Sequence, residues 1–261
     1  MTMLIAITRE VSRSIKDCEL TYLPRIPIDI DLARRQHRAY RDALSNMGAE
    51  VLCLPEEPAM PDSVFVEDIA VVLDECAIIT LPGPVARRME IPSIVDALKP
   101  YRELRAIEPP GSLEGGDVLV LGRNLYIGMT GRSNEPAASQ VRAFLEPFGY
   151  RVHTVPVNGC LHLKSAVTQL GRDSLLINPG WVERTHFHGR RFFEVDPGEP
   201  FAANVLWIGD RVLYQPAFPK TCAKLEAAGF NLLLTDQSEL GKGEGALTCC
   251  SLIFQDRGGK K

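Results

Sequence analysis

Four short segments each set chemically capable side chains just ahead of an apolar run. Glu67 and Asp68 precede Ala70, Glu114 precedes Gly115-Gly116-Asp117, His162 precedes Ala166, and Cys249 stands near the start of Leu247–Phe254. A thiol, an imidazole and two or three carboxylates are the set needed when sulfur attacks an electrophilic carbon and a leaving group must be protonated. Each member alone has a plainer explanation. A cysteine in an apolar stretch usually acts as a small buried hydrophobe. A lone histidine is usually structural, and His37, His153, His186 and His188 are read that way here. Glu-Gly-Gly-Asp suits a turn whose glycines supply positive φ. On one strand Cys249 and Cys250 would face opposite sides, so at most one lines a site and the other belongs to the core. That divergence also makes Cys249-Cys250 with His162 a poor zinc site, and His186-Phe-His188 lacks a third ligand. There is no Walker loop, and Gly111–Gly116 is followed by a strand pattern rather than the helix a dinucleotide fingerprint needs.

What raises these residues together is a loose internal repeat. Ala70–Thr80, Asp117–Gly128, Ala166–Asn178 and Asn204–Gln215 each read as strand, tight polar turn and strand. Their turns begin near Asp74, Gly122, Gly171 and Gly209, separations of 48, 49 and 38 residues. Between hairpins a helical pattern ends at a glycine and feeds another strand: Arg35–Met47 to Gly48, Ala137–Phe148 to Gly149, Thr221–Ala228 to Gly229. Ser93–Leu98 with Leu104–Ile107 is a weaker copy, and Phe192–Val195 is the strand of another. Leu247–Phe254 and Met3–Thr8 are single strands that would complete a fifth module by pairing across the termini. The count fits a closed five-bladed α/β propeller with helices outside; an ordinary α/β sandwich with irregular repeats is the alternative. In a ring, equivalent positions converge on one mouth.

The 261 residues fit one catalytic domain over 1–261, with 45% apolar and 24% charged residues, the balance of a globular protein. A net charge of −4 argues against nucleic acid as a partner and leaves a small cationic ligand open. No apolar run approaches the roughly 20 residues of a membrane span, and the first ten residues lack a signal-peptide pattern. Seven cysteines with irregular spacing are not a disulfide framework and point to the cytoplasm.

The sequence resembles the dimethylarginine dimethylaminohydrolases of the guanidino-modifying superfamily. The matching stretches are Pro61–Val72, Leu113–Leu119, Leu161–Ala166 and Leu247–Ser251, with Arg87-Arg88 after Pro82-Gly83 and Gly131-Arg132-Ser133-Asn134. They run in order through essentially the whole chain. The resemblance implies the five-bladed α/β propeller (pentein) fold. It implies Cys249 as nucleophile, His162 as general acid/base and Glu114 as its carboxylate partner. It also implies Glu67 and Asp68 as acceptors for a substrate guanidinium, Asp62 at the α-amino group, and Arg87 and Arg132 at the α-carboxylate. Leu20 falls in the lid segment, and Gly243 offers a backbone carbonyl to the substrate. Leu81 departs from a frequent arginine, and Ser12–Pro27, with Pro24 and Pro27, matches poorly; both bear on substrate entry.

The implied reaction converts N-ω-methylated arginines to citrulline and methylamine or dimethylamine through a covalent cysteine adduct, with no metal or cofactor. An arginine deiminase and a non-catalytic five-bladed binding protein are the rivals. A homodimer is compatible with the apolar positions. Carboxylates crowding a thiol should raise its pKa. Cys249 is therefore expected to ionise only when a cationic substrate is bound beside a protonated His162.

Overall fold

Apolar runs of three to seven residues are too short to stand alone and must pair and stack to bury their faces. In the computed structural model, which describes residues 2–258, they do so five times. The elements run β1 (Met3–Arg9), α1 (Ile30–Asn46), β2 (Ala49–Leu54), β3 (Ala70–Val72), β4 (Cys76–Ile79), α2 (Ile91–Leu98) and β5 (Glu103–Ala106). They continue through β6 (Val118–Leu121), β7 (Asn124–Met129), α3 (Glu135–Leu145), β8 (Arg151–Pro156), α4 (Leu163–Ala166), β9 (Val167–Gly171), β10 (Ser174–Ile177) and β11 (Arg191–Glu194). The last are β12 (Leu206–Ile208), β13 (Arg211–Tyr214), α5 (Pro219–Ala227), β14 (Asn231–Leu234), α6 (Ser238–Gly241) and β15 (Leu252–Asp256).

Five three-stranded sheets result: β15-β1-β2, β3-β4-β5, β6-β7-β8, β9-β10-β11 and β12-β13-β14. In each, the first pair is antiparallel and the second parallel. A parallel pair needs a crossover, usually helical; α1, α2, α3 and α5 supply it in four sheets. In the fourth sheet a 3-10 turn, Arg184–His186, stands in for the helix. The fifth module closes across the ends of the chain, Leu4 pairing with Gln255 and Ile7 with Leu252. This is the five-bladed α/β propeller. Val71, Val118, Thr168, Trp207 and Ile253, one from the first strand of each sheet, line an axial cavity of about 250 Å³.

Helix α1 shows how sequence sets these crossovers. The Asp29 carboxylate caps it by accepting the Leu32 N–H at 2.9 Å. Ala33, His37, Tyr40 and Leu44 recur at helical spacing and are buried. Gly48 at φ 92° ends the run in a conformation other residues avoid. The Tyr40 hydroxyl donates to the Leu247 carbonyl at 2.8 Å and shares a hydrogen bond of 2.7 Å with Ser251. It thereby anchors the segment that carries Cys249.

One expectation is corrected. Leu247–Phe254 is not a single strand: Thr248–Cys250 is a 3-10 turn and β15 begins at Leu252. The Thr248 N–H donates to Asn204 Oδ1 at 3.0 Å, and the Leu247 carbonyl is taken by Tyr40. Side chains hold backbone groups that a strand ladder would otherwise use.

Candidate active site

The chemically capable residues sit on short helical turns ahead of the inner strands. Glu67 and Asp68 lie in the 3-10 turn Val66–Ile69, Glu114 precedes Gly115–Asp117, His162 precedes α4, and Cys249 is within Thr248–Cys250. Two glycines make their close approach feasible. A Cβ on Gly116 would fall 2.5 Å from His162 Nδ1, and one on Gly115 would overlap the Glu67 carbonyl oxygen. No side chain fits between these turns.

A small cavity of about 20 Å³ is lined by Asp62, Asp68, Arg87, Glu114, Arg132, His162, Gly243 and Cys249, with Glu19 and Glu244 beside them. His162 Nε2 meets Glu114 Oε2 at 2.7 Å, while Nδ1 lies 3.9 Å from Asp68 Oδ1. Asp68 accepts from Arg87 Nη1 at 2.6 Å and from the Gly116 N–H at 3.1 Å. Arg87 donates again to both oxygens of Glu90, at 3.1 and 3.0 Å, and to the Asp62 and Phe65 carbonyls. Arg132 reaches Glu114 Oε1 at 3.3 Å and Thr21 Oγ1 at 2.8 Å. Beneath them, Asp117 accepts from Thr130 and Ser133 hydroxyls at 2.7 and 2.6 Å and from the Leu163 N–H at 3.0 Å.

The charges follow from burial and neighbours. Burial opposes the charged form of His162, but Asp68, Glu114 and Asp117 outweigh it and raise the imidazole to about 9. It is an imidazolium at neutral pH, able to give up a proton. Burial first, then Glu67 and Asp68, push the Cys249 thiol well above its usual range. Burial also opposes ionisation of Asp68, yet His162 and Arg87 hold it below the usual carboxylate range. Burial lifts Asp117 to about 6, against the pull of His162 and the two hydroxyls. The site thus pairs a neutral thiol with a charged imidazole.

Eight of the ten residues singled out in the sequence therefore meet at one cavity. Glu67 and Leu20 do not. Glu67 turns to the axial cavity, where Oε1 meets Lys164 Nζ at 2.5 Å and Oε2 accepts from Thr248 Oγ1 at 2.7 Å. Leu20 packs half-buried on the core around α1, and Glu19 takes the place at the cavity wall. Sequence reasoning did not single out Asp117, Lys164, Thr248 or Asn204. Asn204 Nδ2 reaches Thr248 Oγ1 at 3.0 Å and the Lys164 carbonyl at 3.0 Å, so it ties the Thr248–Cys250 turn to α4. Asn204 and Thr248 both stand just ahead of inner strands, the same register that exposed His162 and Cys249. Cys250 does belong to the core, but it diverges from Cys249 by the rotation of a 3-10 turn rather than by strand alternation. Asp68, Glu114 and His162 each place a ligand atom within 4.8 Å of the others. Arg87 already holds Asp68 at 2.6 Å, and the His162–Glu114 contact occupies the other two, so the set is engaged among protein groups.

A family profile for "N,N dimethylarginine dimethylhydrolase, eukaryotic" matches residues 25–188. The dimethylarginine dimethylaminohydrolase of Pseudomonas aeruginosa is 35% identical over 228 residues, 87% of this chain and 90% of that protein. That of Streptomyces coelicolor is 38% identical over 254 residues, 96% of this chain and 97% of that protein. A solved Pseudomonas aeruginosa structure, a cysteine-to-serine mutant complexed with citrulline, superposes with TM-score 0.90 at 34% identity, covering 97% of this chain and all (100%) of that one. The N-terminal domain of the cyanobacterial arginine dihydrolase ArgZ shares the fold, with TM-score 0.86 at 19% identity, over 96% of this chain and 97% of that domain. The ring of five sheets and these relatives define a hydrolase of the guanidino-modifying superfamily. Within that class the chain belongs to the dimethylarginine dimethylaminohydrolase family.

Proposed function

We propose that this protein hydrolyses N-ω-methylated arginines to citrulline plus dimethylamine or methylamine, as a single catalytic domain, through a covalent adduct on Cys249. The observation that carries this reading is the meeting of Cys249, the His162–Glu114 pair and Asp68 around one enclosed cavity.

A guanidinium carbon is a poor electrophile because its charge is delocalised, and a carboxylate binds the planar cation through charge-assisted hydrogen bonds. Asp68 accepts from the guanidinium. Glu67, already committed to Lys164 and Thr248, acts behind the nucleophile rather than on the substrate. Arg132 is the better placed cation for the substrate carboxylate, while Arg87 fixes Asp68. Asp62 and the Gly243 carbonyl take the α-amino group, and Glu19 rather than Leu20 stands at the cavity wall on the lid side.

On binding, the Cys249 thiol loses its proton to solvent, and Sγ bonds to the guanidino carbon. His162 gives its proton to the methylated nitrogen, the C–N bond breaks and the amine leaves, with sulfur still on carbon. Neutral His162 then takes a proton from water as the oxygen adds to that carbon. The C–S bond breaks, the remaining hydroxyl proton passes to the departing sulfur to restore the Cys249 thiol, and neutral citrulline departs. One imidazole serves as acid and then as base, held by Glu114.

Seven free cysteines support a reducing compartment, the cytoplasm. Among the described residues no helix is long and apolar enough to cross a membrane. The deciding assay supplies asymmetric dimethylarginine, monomethylarginine and arginine, and measures citrulline and released amine. Turnover of the methylated substrates supports the proposal. Turnover of arginine alone makes the protein a deiminase, and binding without turnover makes it a non-catalytic binder. Thorough chelation should leave activity intact; a loss restored only by metal refutes the metal-free reaction.

A further inference from the structure

The space at Cys249 is about 20 Å³, room for about one water and not for an amino acid. Some wall must move on every turnover. The blade turns are held by buried hydrogen bonds, whereas the segment following Cys18 is largely exposed, Tyr22 at 51%. This segment is fastened chiefly to one side chain. The Thr21 N–H donates to Glu244 Oε2 at 3.0 Å, and the Tyr22 and Leu23 N–H groups donate to Oε1 at 2.5 and 2.6 Å. Successive N–H groups converging on one carboxylate form an anion-holding nest, here closed by a side chain of the same protein.

The far side of the contact is rigid. Glu244 has φ 60°, the sole positive value at a non-glycine among the described residues. Such a conformation persists where the surroundings over-determine it. A Cβ on the next residue, Gly245, would overlap the Phe65 ring, so this loop lies pressed on Phe65. Glu244 also lines the Cys249 cavity, as does Gly243 beside it.

We infer that Glu244 is a positioning residue of the reaction, a latch that holds the lid segment around Thr21–Leu23 shut over Cys249 and that must release to admit substrate and let product go. The inference takes its meaning from the proposed hydrolase reading, but its test reads the resting protein and stands apart from turnover. Closure by three amides on a fixed carboxylate explains how an exposed segment can seal so small a space. It also couples the lid to the loop that leads into the nucleophile's turn.

The test uses the full chain with Glu244→Gln and Glu244→Gly. Glycine adopts φ 60° without strain, so the second variant removes the carboxylate without burdening the backbone. Amide hydrogen exchange is followed at residues 21–23 and in the blade strands, and Cys249 is alkylated with neutral iodoacetamide. Both variants should exchange residues 21–23 at least about tenfold faster with the strands unchanged, as expected when charge-assisted hydrogen bonds are lost. Alkylation should accelerate, and KM should rise by a larger factor than kcat changes. Exchange at residues 21–23 within about twofold of wild type in both variants overturns the latch. Faster local exchange in a protein that turns over no methylarginine upholds the latch and refutes only the proposed substrate.

Discussion

A bound cation should change the charge of Cys249 by an amount that can be worked out. In the resting protein, burial and the carboxylates of Glu67 and Asp68 keep the thiol protonated far above its ordinary range. A guanidinium seated on Asp68 would bring a positive charge to roughly 4 Å from sulfur. At an effective dielectric of about 20 that attraction is worth about 4 kcal/mol, or about 3 pH units. Ligand entry also desolvates, but Cys249 is already buried and the free space is about 20 Å³, so little water remains to be lost. The Coulomb attraction therefore wins, and the thiol midpoint should fall by two to three pH units, about the size of that Coulomb shift. The assay is the ultraviolet absorbance of the thiolate against pH, with and without a saturating cationic analogue that cannot react, after subtraction of Cys249→Ser. A midpoint that is unchanged or higher with the analogue refutes the reasoning.

Glu114→Gln should lower the His162 midpoint from about 9 toward 6.5, read by NMR of the imidazole ring, because the variant removes one of the carboxylates that raise it. A raised histidine stabilises fully below its unfolded pKa and loses that contribution as pH climbs through about 9. Urea denaturation should thus show wild type losing up to roughly 3 kcal/mol across that window, and Glu114→Gln losing less. Tyr40→Phe leaves the Leu247 carbonyl and Ser251 without a partner and should cost about 1 kcal/mol in the same measurement. Gly116→Ala pushes a methyl group against His162 Nδ1; kcat should fall on the order of 100-fold, as expected for a misplaced catalytic group, with far-ultraviolet circular dichroism unchanged.

Much of this was legible because the repeat is written in turns. Gly122 and Gly209 open the turns of two hairpins, Gly171 ends β9 just before the turn of a third, and Gly48, Gly149 and Gly229 follow helices at positive φ. The convergence of Glu114, His162 and Cys249 followed from their common place ahead of inner strands. The short helical turns that carry them were not legible. Thr248–Cys250 has β-forming composition and bends only because Asn204 and Tyr40, distant in sequence, claim its backbone. The direction of Glu67 was hidden for the same reason. Adjacent acids in a turn point apart, and it is Lys164, 97 positions away, that decides where Glu67 goes. The lid offered the least signal, since its order comes from Glu244 through backbone amides that carry no side-chain signature.

The pairing of β1 with β15 has a consequence for how the molecule is made. Strand β1 is made long before the β15 strand it pairs with. Until Leu252–Asp256 arrives, one edge of β1 lies open, an adhesive surface for any other nascent chain. The turn just ahead of that segment carries Cys249. A chain halted before Thr248 lacks Cys249 as well as ring closure, so the thiol and the completed ring appear almost together.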